Sequence, residues 1–127
     1  MTRKELINTL ENRKDRSAWD KGVTLYSIEL IESMYDVDDE EELVKNENIC
    51  KQILLNGAND WSQYSYGGSS LVYDCDIAER LCCPSELKKV CGGDRNPNRY
   101  ETWLDVQARA LNQACNRIMK LLYVRGR

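Results

Sequence analysis

Histidine and phenylalanine are both missing from the chain's 127 residues, and proline occurs only twice. The first absence removes the side chain most used as a general base near neutral pH, which is also the commonest zinc ligand. Any catalysis would rest on carboxylates or thiols, and no cysteine has a recognisable base to activate it. The scarcity of proline leaves long segments free to be helical. A run of about 18 apolar residues, as a membrane span needs, is also lacking, and residues 1–12 have no apolar core of a signal peptide. These absences lead to the expectation of a cytoplasmic, non-enzymatic protein that meets no membrane.

What is present fits one helical domain. A chain of 127 residues with 42% apolar and 31% charged residues can bury a core without disulfides or metal, so residues 1–127 are read as a single domain. Six cysteines without a secretory signal read as reduced thiols rather than a disulfide framework. The net charge of −3 conceals an asymmetry: residues 1–60 hold 8 Lys+Arg against 14 Asp+Glu, a net of −6, and the rest hold 10 against 7, a net of +3. A chain charged this way can self-associate head to tail as a homo-oligomer, or it can show different faces to different partners.

Helix signals recur along the chain. Thr2-Arg3-Lys4-Glu5 has capping-box spacing, and Leu6, Ile7 and Leu10 follow as a short apolar face. A second start lies at Ser17, with Ala18, Trp19, Val23, Tyr26, Leu30 and Met34 along one side and Gly22 as a weak point. The acidic run at residues 36–42 reads as a turn feeding a third helix, whose buried side would be Leu43, Val44, Cys50, Ile53 and Leu54, stopping at Asn56-Gly57. Asp76 and Glu79 frame a further start before Pro84, and Gly92-Gly93-Asp94-Arg95-Asn96-Pro97 is the clearest break. Leu104, Ala108, Leu111, Cys115, Ile118 and Leu122 then alternate steps of four and three, broadened by Trp103, Val106, Ala110 and Ala114. That pattern predicts a helix over roughly 99–123 with a wide apolar face. The fold class is therefore mainly α, a compact helical bundle around a long C-terminal helix.

Between the charged halves lies Tyr64-Ser65-Tyr66-Gly67-Gly68-Ser69-Ser70, which has no charge. Aromatic and hydroxyl residues on both sides of a Gly-Gly pair favour a short β-hairpin near residues 61–73. An irregular connector would serve as well, and a phosphate loop has less in its favour because the lysine and spacing of that motif are missing.

Several constellations could bind something. Tyr64, Tyr66, Gly67 and Gly68, with Arg95 and Arg99 beside the glycine-rich break, could hold a nucleotide by stacking and anion contacts, making the protein a sponge for a nucleotide signal. Cys75, Cys82, Cys83 and Cys91 have the wrong gaps for paired zinc knuckles, so no metal or other cofactor is expected. Direct nucleic-acid binding would draw on Arg109, Arg117, Lys120, Arg125 and Arg127, but the acidic remainder argues against it. The acidic turn is the stronger candidate. Asp36, Asp38, Asp39, Glu40, Glu41 and Glu42 could occupy a protein surface that normally receives nucleic-acid phosphates, although a solvated helix entry would look the same.

Asp60-Trp61-Ser62-Gln63-Tyr64-Ser65-Tyr66-Gly67-Gly68, Tyr73-Asp74-Cys75-Asp76-Ile77-Ala78-Glu79-Arg80-Leu81-Cys82, Pro84-Ser85-Glu86 and Glu101-Thr102-Trp103-Leu104-Asp105-Val106-Gln107-Ala108-Arg109-Ala110 resemble a family of small prophage and mobile-element proteins of clostridia-like bacteria. The resemblance spans residues 56–119 and brings no catalytic residue with it. It implies a cytosolic accessory protein of phage or plasmid origin. By analogy with other small acidic proteins of that origin, the expected role is a non-enzymatic, anti-CRISPR-like inhibitor that binds a host defence effector through the acidic turn.

Overall fold

A computed structural model describes residues 1–32, 38–40, 42–43, 80–81, 87 and 100–124. These residues are mainly helical: α1 (Arg3–Glu11), α2 (Ala18–Glu32) and α3 (Tyr100–Met119), the last continuing into a π-helical turn, Lys120–Val124. Among the described residues there is no strand, only an isolated antiparallel bridge between Thr2 and Glu42. None of the described helices is long and apolar enough to cross a membrane. The segment near residues 61–73 lies outside the described residues.

Local chemistry starts each of the first two helices. At α1 the Glu5 amide donates to Thr2 Oγ1 at 3.1 Å and the Thr2 amide donates to Glu5 Oε1 at 3.2 Å, the reciprocal capping box that the sequence predicts. Two otherwise unsatisfied donors are thereby closed off. Ser17 does the same for α2, its Oγ accepting from the Asp20 amide at 3.0 Å. Leu6 and Leu10, one turn apart on α1, are both fully buried.

Among the described residues α2 is the helix enclosed on most sides. Trp19, Val23, Tyr26 and Leu30 are buried, as their spacing predicts, but so are Gly22, Thr24, Ser27, Ile28 and Ile31. Thr24 and Ser27 are polar and fully buried, and both are hydrogen-bonded, Ser27 through its hydroxyl to the Val23 carbonyl at 2.7 Å. Two apolar clusters divide the faces of α2. One joins Ile28 and Ile31 to Leu6, Leu10, Leu43, Ile118 and Leu122. The other joins Trp19, Val23, Tyr26 and Leu30 to Leu81, Leu87, Val106, Ala110 and Ala114.

The C-terminal helix has its buried line slightly rotated from the expected one. Val106, Ala110, Ala114, Ile118 and Leu122 are buried at steps of four, with Cys115 beside them, whereas Ala108 is exposed and Leu111 half-buried. A line at steps of four creeps round an α-helix by about 40° per step. It therefore leaves one cluster at Ala114 and enters the other at Ile118, so that α3 belongs to both. Cys115 is a free, buried thiol, and burial raises its pKa. A raised pKa contributes stability that is complete below the ordinary thiol value of about 8.5 and is lost as pH rises through the folded-state value. Wild-type stability should thus fall more steeply above that pH than the stability of Cys115→Ala, as read from unfolding midpoints across an alkaline series.

Gly22 has a packing role that helix propensity conceals. A Cβ added there would lie 2.7 Å from Leu81 Cδ2, 2.9 Å from Leu81 Cγ and 3.2 Å from Arg80 Cβ. The branch carbon of Leu81 cannot swing aside alone, so a larger residue overpacks the contact at about 1–3 kcal/mol. Helix propensity returns about 1 kcal/mol of that for alanine. Gly22→Ala should therefore lower stability by up to about 2 kcal/mol in urea denaturation, and a stabilised variant would contradict the contact.

Candidate functional site

The acidic run and the start of α1 form one unit. The Leu43 amide donates to the Met1 carbonyl at 3.0 Å, and the Lys4 amide donates to the Asp39 carbonyl at 3.0 Å. The second bond matters because Lys4 sits in the first turn of α1, where backbone donors have no partner within the helix. Leu43 is buried, as expected, but Glu42 just before it pairs with Thr2 in the antiparallel bridge and its carboxylate meets the Met1 ammonium. Residues 38–40 and 42–43 thus close back on the start of α1 through backbone bonds, and the helix that the sequence predicts after them, with Val44, Cys50, Ile53 and Leu54 on its buried side, lies outside the described residues.

Arg3 fastens this unit to α2. Its guanidinium donates from Nε to the Ile31 carbonyl at 3.2 Å, from one terminal nitrogen to the Glu32 carbonyl at 2.9 Å, and from the other to Asp39 Oδ1 at 3.0 Å. A cation at the last carbonyls of α2 also suits the negative end of the helix dipole. No local sequence pattern marks Arg3 for this role, because its partners lie 28, 29 and 36 residues away. Lys4 and Glu40 approach to 3.8 Å, but both are largely exposed and the pair contributes little.

The carboxylates of the turn consequently differ in what they do. Asp39 and Glu42 are engaged with Arg3 and Met1. Asp38 and Glu40 project into solvent, and Asp38 has no side-chain partner among the described residues. Next to them Lys4, Glu5, Ile7, Asn8, Glu11 and Asp39 line an open groove of about 530 Å³. Its walls carry Glu5, Glu11 and the Arg3-bonded Asp39 against one cation, Lys4, around a half-buried Ile7, which leaves the groove net acidic. Asp36 and Glu41 lie outside the described residues. So do Tyr64, Tyr66, Gly67, Gly68, Arg95 and Arg99 of the nucleotide reading, and Cys75, Cys82, Cys83 and Cys91.

A second polar constellation joins α2 to α3. Thr24 Oγ1 donates to Asp15 Oδ2 at 2.7 Å and accepts from Arg117 at 3.1 Å. Arg117 also reaches the Asp20 carbonyl at 3.0 Å and Asp20 Oδ1 at 2.8 Å, and Arg13 donates to Asp15 Oδ1 at 3.2 Å. Trp19 Nε1 donates to Gln113 Oε1 at 2.9 Å on the same interface. Every donor named here has an acceptor, so this network fixes the approach of the helices. Among the described residues no group of three His, Cys, Asp or Glu side chains could hold a metal ion.

No protein-family model matches the chain, and no curated protein or solved structure matches it either. The functional reading therefore rests on this geometry and on the sequence.

Proposed function

We propose that the protein is a non-enzymatic accessory factor of phage or mobile-element origin, anti-CRISPR-like in action, that inhibits a host defence effector by binding it through the acidic face at the start of α1. The origin comes from the resemblance at residues 56–119. The observation that supports the mechanism is that exposed Asp38 and Glu40 flank Asp39 in the chain, and Asp39 lines one groove together with Glu5, Glu11 and Lys4. Such a face presents acceptors to a lysine- or arginine-bearing surface of the kind that binds nucleic-acid phosphates. The finer architecture of this reading is one compact bundle about α3 with a short hairpin or loop at residues 61–73, acting in the cytoplasm.

The test is phage plating efficiency on bacteria that carry one defined defence system each, with and without the protein. Restored plating on at least one host is the expected result, and binding to the purified effector should weaken as salt rises. Unchanged plating across nuclease-based defence systems would reject the reading.

A further inference from the structure

We infer that the connection between α1 and α2, residues 12–17, carries a second charged surface, a cationic patch that binds the phosphodiester backbone of nucleic acid without reading bases. As sequence, Arg13-Lys14-Asp15-Arg16 is a mixed run and attracts no notice. The fold separates its charges. The Asp15 side chain is only 2% exposed and is turned inward to Thr24 Oγ1, while Lys14 and Arg16 are exposed and have no side-chain partner among the described residues. Arg13, 39% exposed at its side chain, is bonded to Asp15 through Nε, and its terminal nitrogens make no contact among the described residues. The outward side of the connection is therefore cationic, with Lys21 on the first turn of α2 adding to it and Glu11 as the unpaired acid beside it. Asp20, also nearby, is paired with Arg117.

The chemistry favours phosphate. Two of the three cations within residues 12–17 are arginines, whose planar fork matches phosphate oxygens. No large exposed apolar side chain accompanies them, as insertion into a bilayer would require; the exposed one among the described residues is Tyr123, on the π-helical turn. Of the C-terminal arginines that the sequence offers for this role, Arg109 pairs with Asp105 and Arg117 with Asp20, while Arg125 and Arg127 lie outside the described residues. The patch is also distant from Asp38, Asp39 and Glu40 of the acidic face, with Glu11 at the far end of the groove standing beside it. Arg3 ties that face to the C-terminal end of α2, whereas residues 12–17 lead into its N-terminal end, about 22 Å away along 15 residues.

Fluorescence anisotropy of a labelled 20-base-pair DNA duplex of arbitrary sequence tests the inference. Three phosphate contacts give a slope of log K against log salt of about −2.7, so affinity should fall about 40-fold between 25 and 100 mM salt. Lys14→Gln/Arg16→Gln should reduce that fall to about 3- to 4-fold and weaken binding at 25 mM, with an unchanged circular-dichroism spectrum because both side chains are exposed. Asp38→Asn/Glu40→Gln should keep the wild-type slope. Absence of binding at 25 mM, a wild-type slope in Lys14→Gln/Arg16→Gln, or binding to a labelled polyglutamate peptide but not to the duplex would each overturn the inference. None of these outcomes bears on plating efficiency, so the patch and the acidic face stand or fall separately.

Discussion

Ile118→Ala is expected to lower stability by about 2–5 kcal/mol, a large share of the 5–15 kcal/mol typical of a domain. Ile118 is fully buried, and its cluster draws on Leu6 and Leu10 from α1, Ile28 and Ile31 from α2, Leu43 from the acidic run and Leu122 from the π-helical turn. Removing three carbons leaves a cavity that can close only if elements far apart in the chain move together, and backbone tethers hinder that. Leu43 is held by its bond to the Met1 carbonyl, and Arg3 holds α1 to α2. Urea denaturation gives the value, and Ile118→Val, about 0.5–1.5 kcal/mol, separates the cavity from any general intolerance of change. A loss below about 1 kcal/mol in Ile118→Ala would mean that α3 does not seat on the N-terminal helices as described.

Asp15→Ala should lower stability by about 2–3 kcal/mol, although the side chain sits in a short connection. Its carboxylate is almost completely buried and accepts the hydroxyl proton of Thr24, itself fully buried. Truncation leaves that donor without its acceptor and removes a charge-assisted bond, each of the order of 1–3 kcal/mol, with partial overlap. Arg13 limits the loss, because at 39% side-chain exposure it can turn to water. Thr24→Val probes the other side of the same bond, and the double variant should cost less than the two singles combined by about 0.5–3 kcal/mol. Strict additivity would contradict a shared contact.

Short-range chemistry was the legible part of this fold. The caps at Thr2 and Ser17 and the helices they begin follow from side chains that act within one turn. The apolar stripe of α2 was legible too, but its enclosure was not, because the other buried positions include Gly22, Thr24 and Ser27, which carry little apolar weight. On α3 the same effect shifted the expected line. Ala110 and Ala114 read as its margin, yet small side chains are what allow a helix to come close, and both are fully buried. Gly22 read as a weak point in a helix, whereas the tertiary contact with Leu81 decides its role. The candidate site divided similarly. The acidic run was visible as charge, but which carboxylates meet Arg3 and Met1 depends on pairings across 36 to 41 residues that no local pattern encodes.

That division supplies the most direct measurement of the proposed mechanism: thermal unfolding and phage plating measured together for Arg3→Met and for Asp38→Asn/Glu40→Gln. Arg3→Met should unfold at lower temperature, since it loses bonds to the Ile31 and Glu32 carbonyls and to Asp39. Asp38→Asn/Glu40→Gln should melt with the wild type, because both side chains project into solvent, and yet lose the protection of phage. Full protection by Asp38→Asn/Glu40→Gln would contradict the account and move the binding surface away from the acidic face.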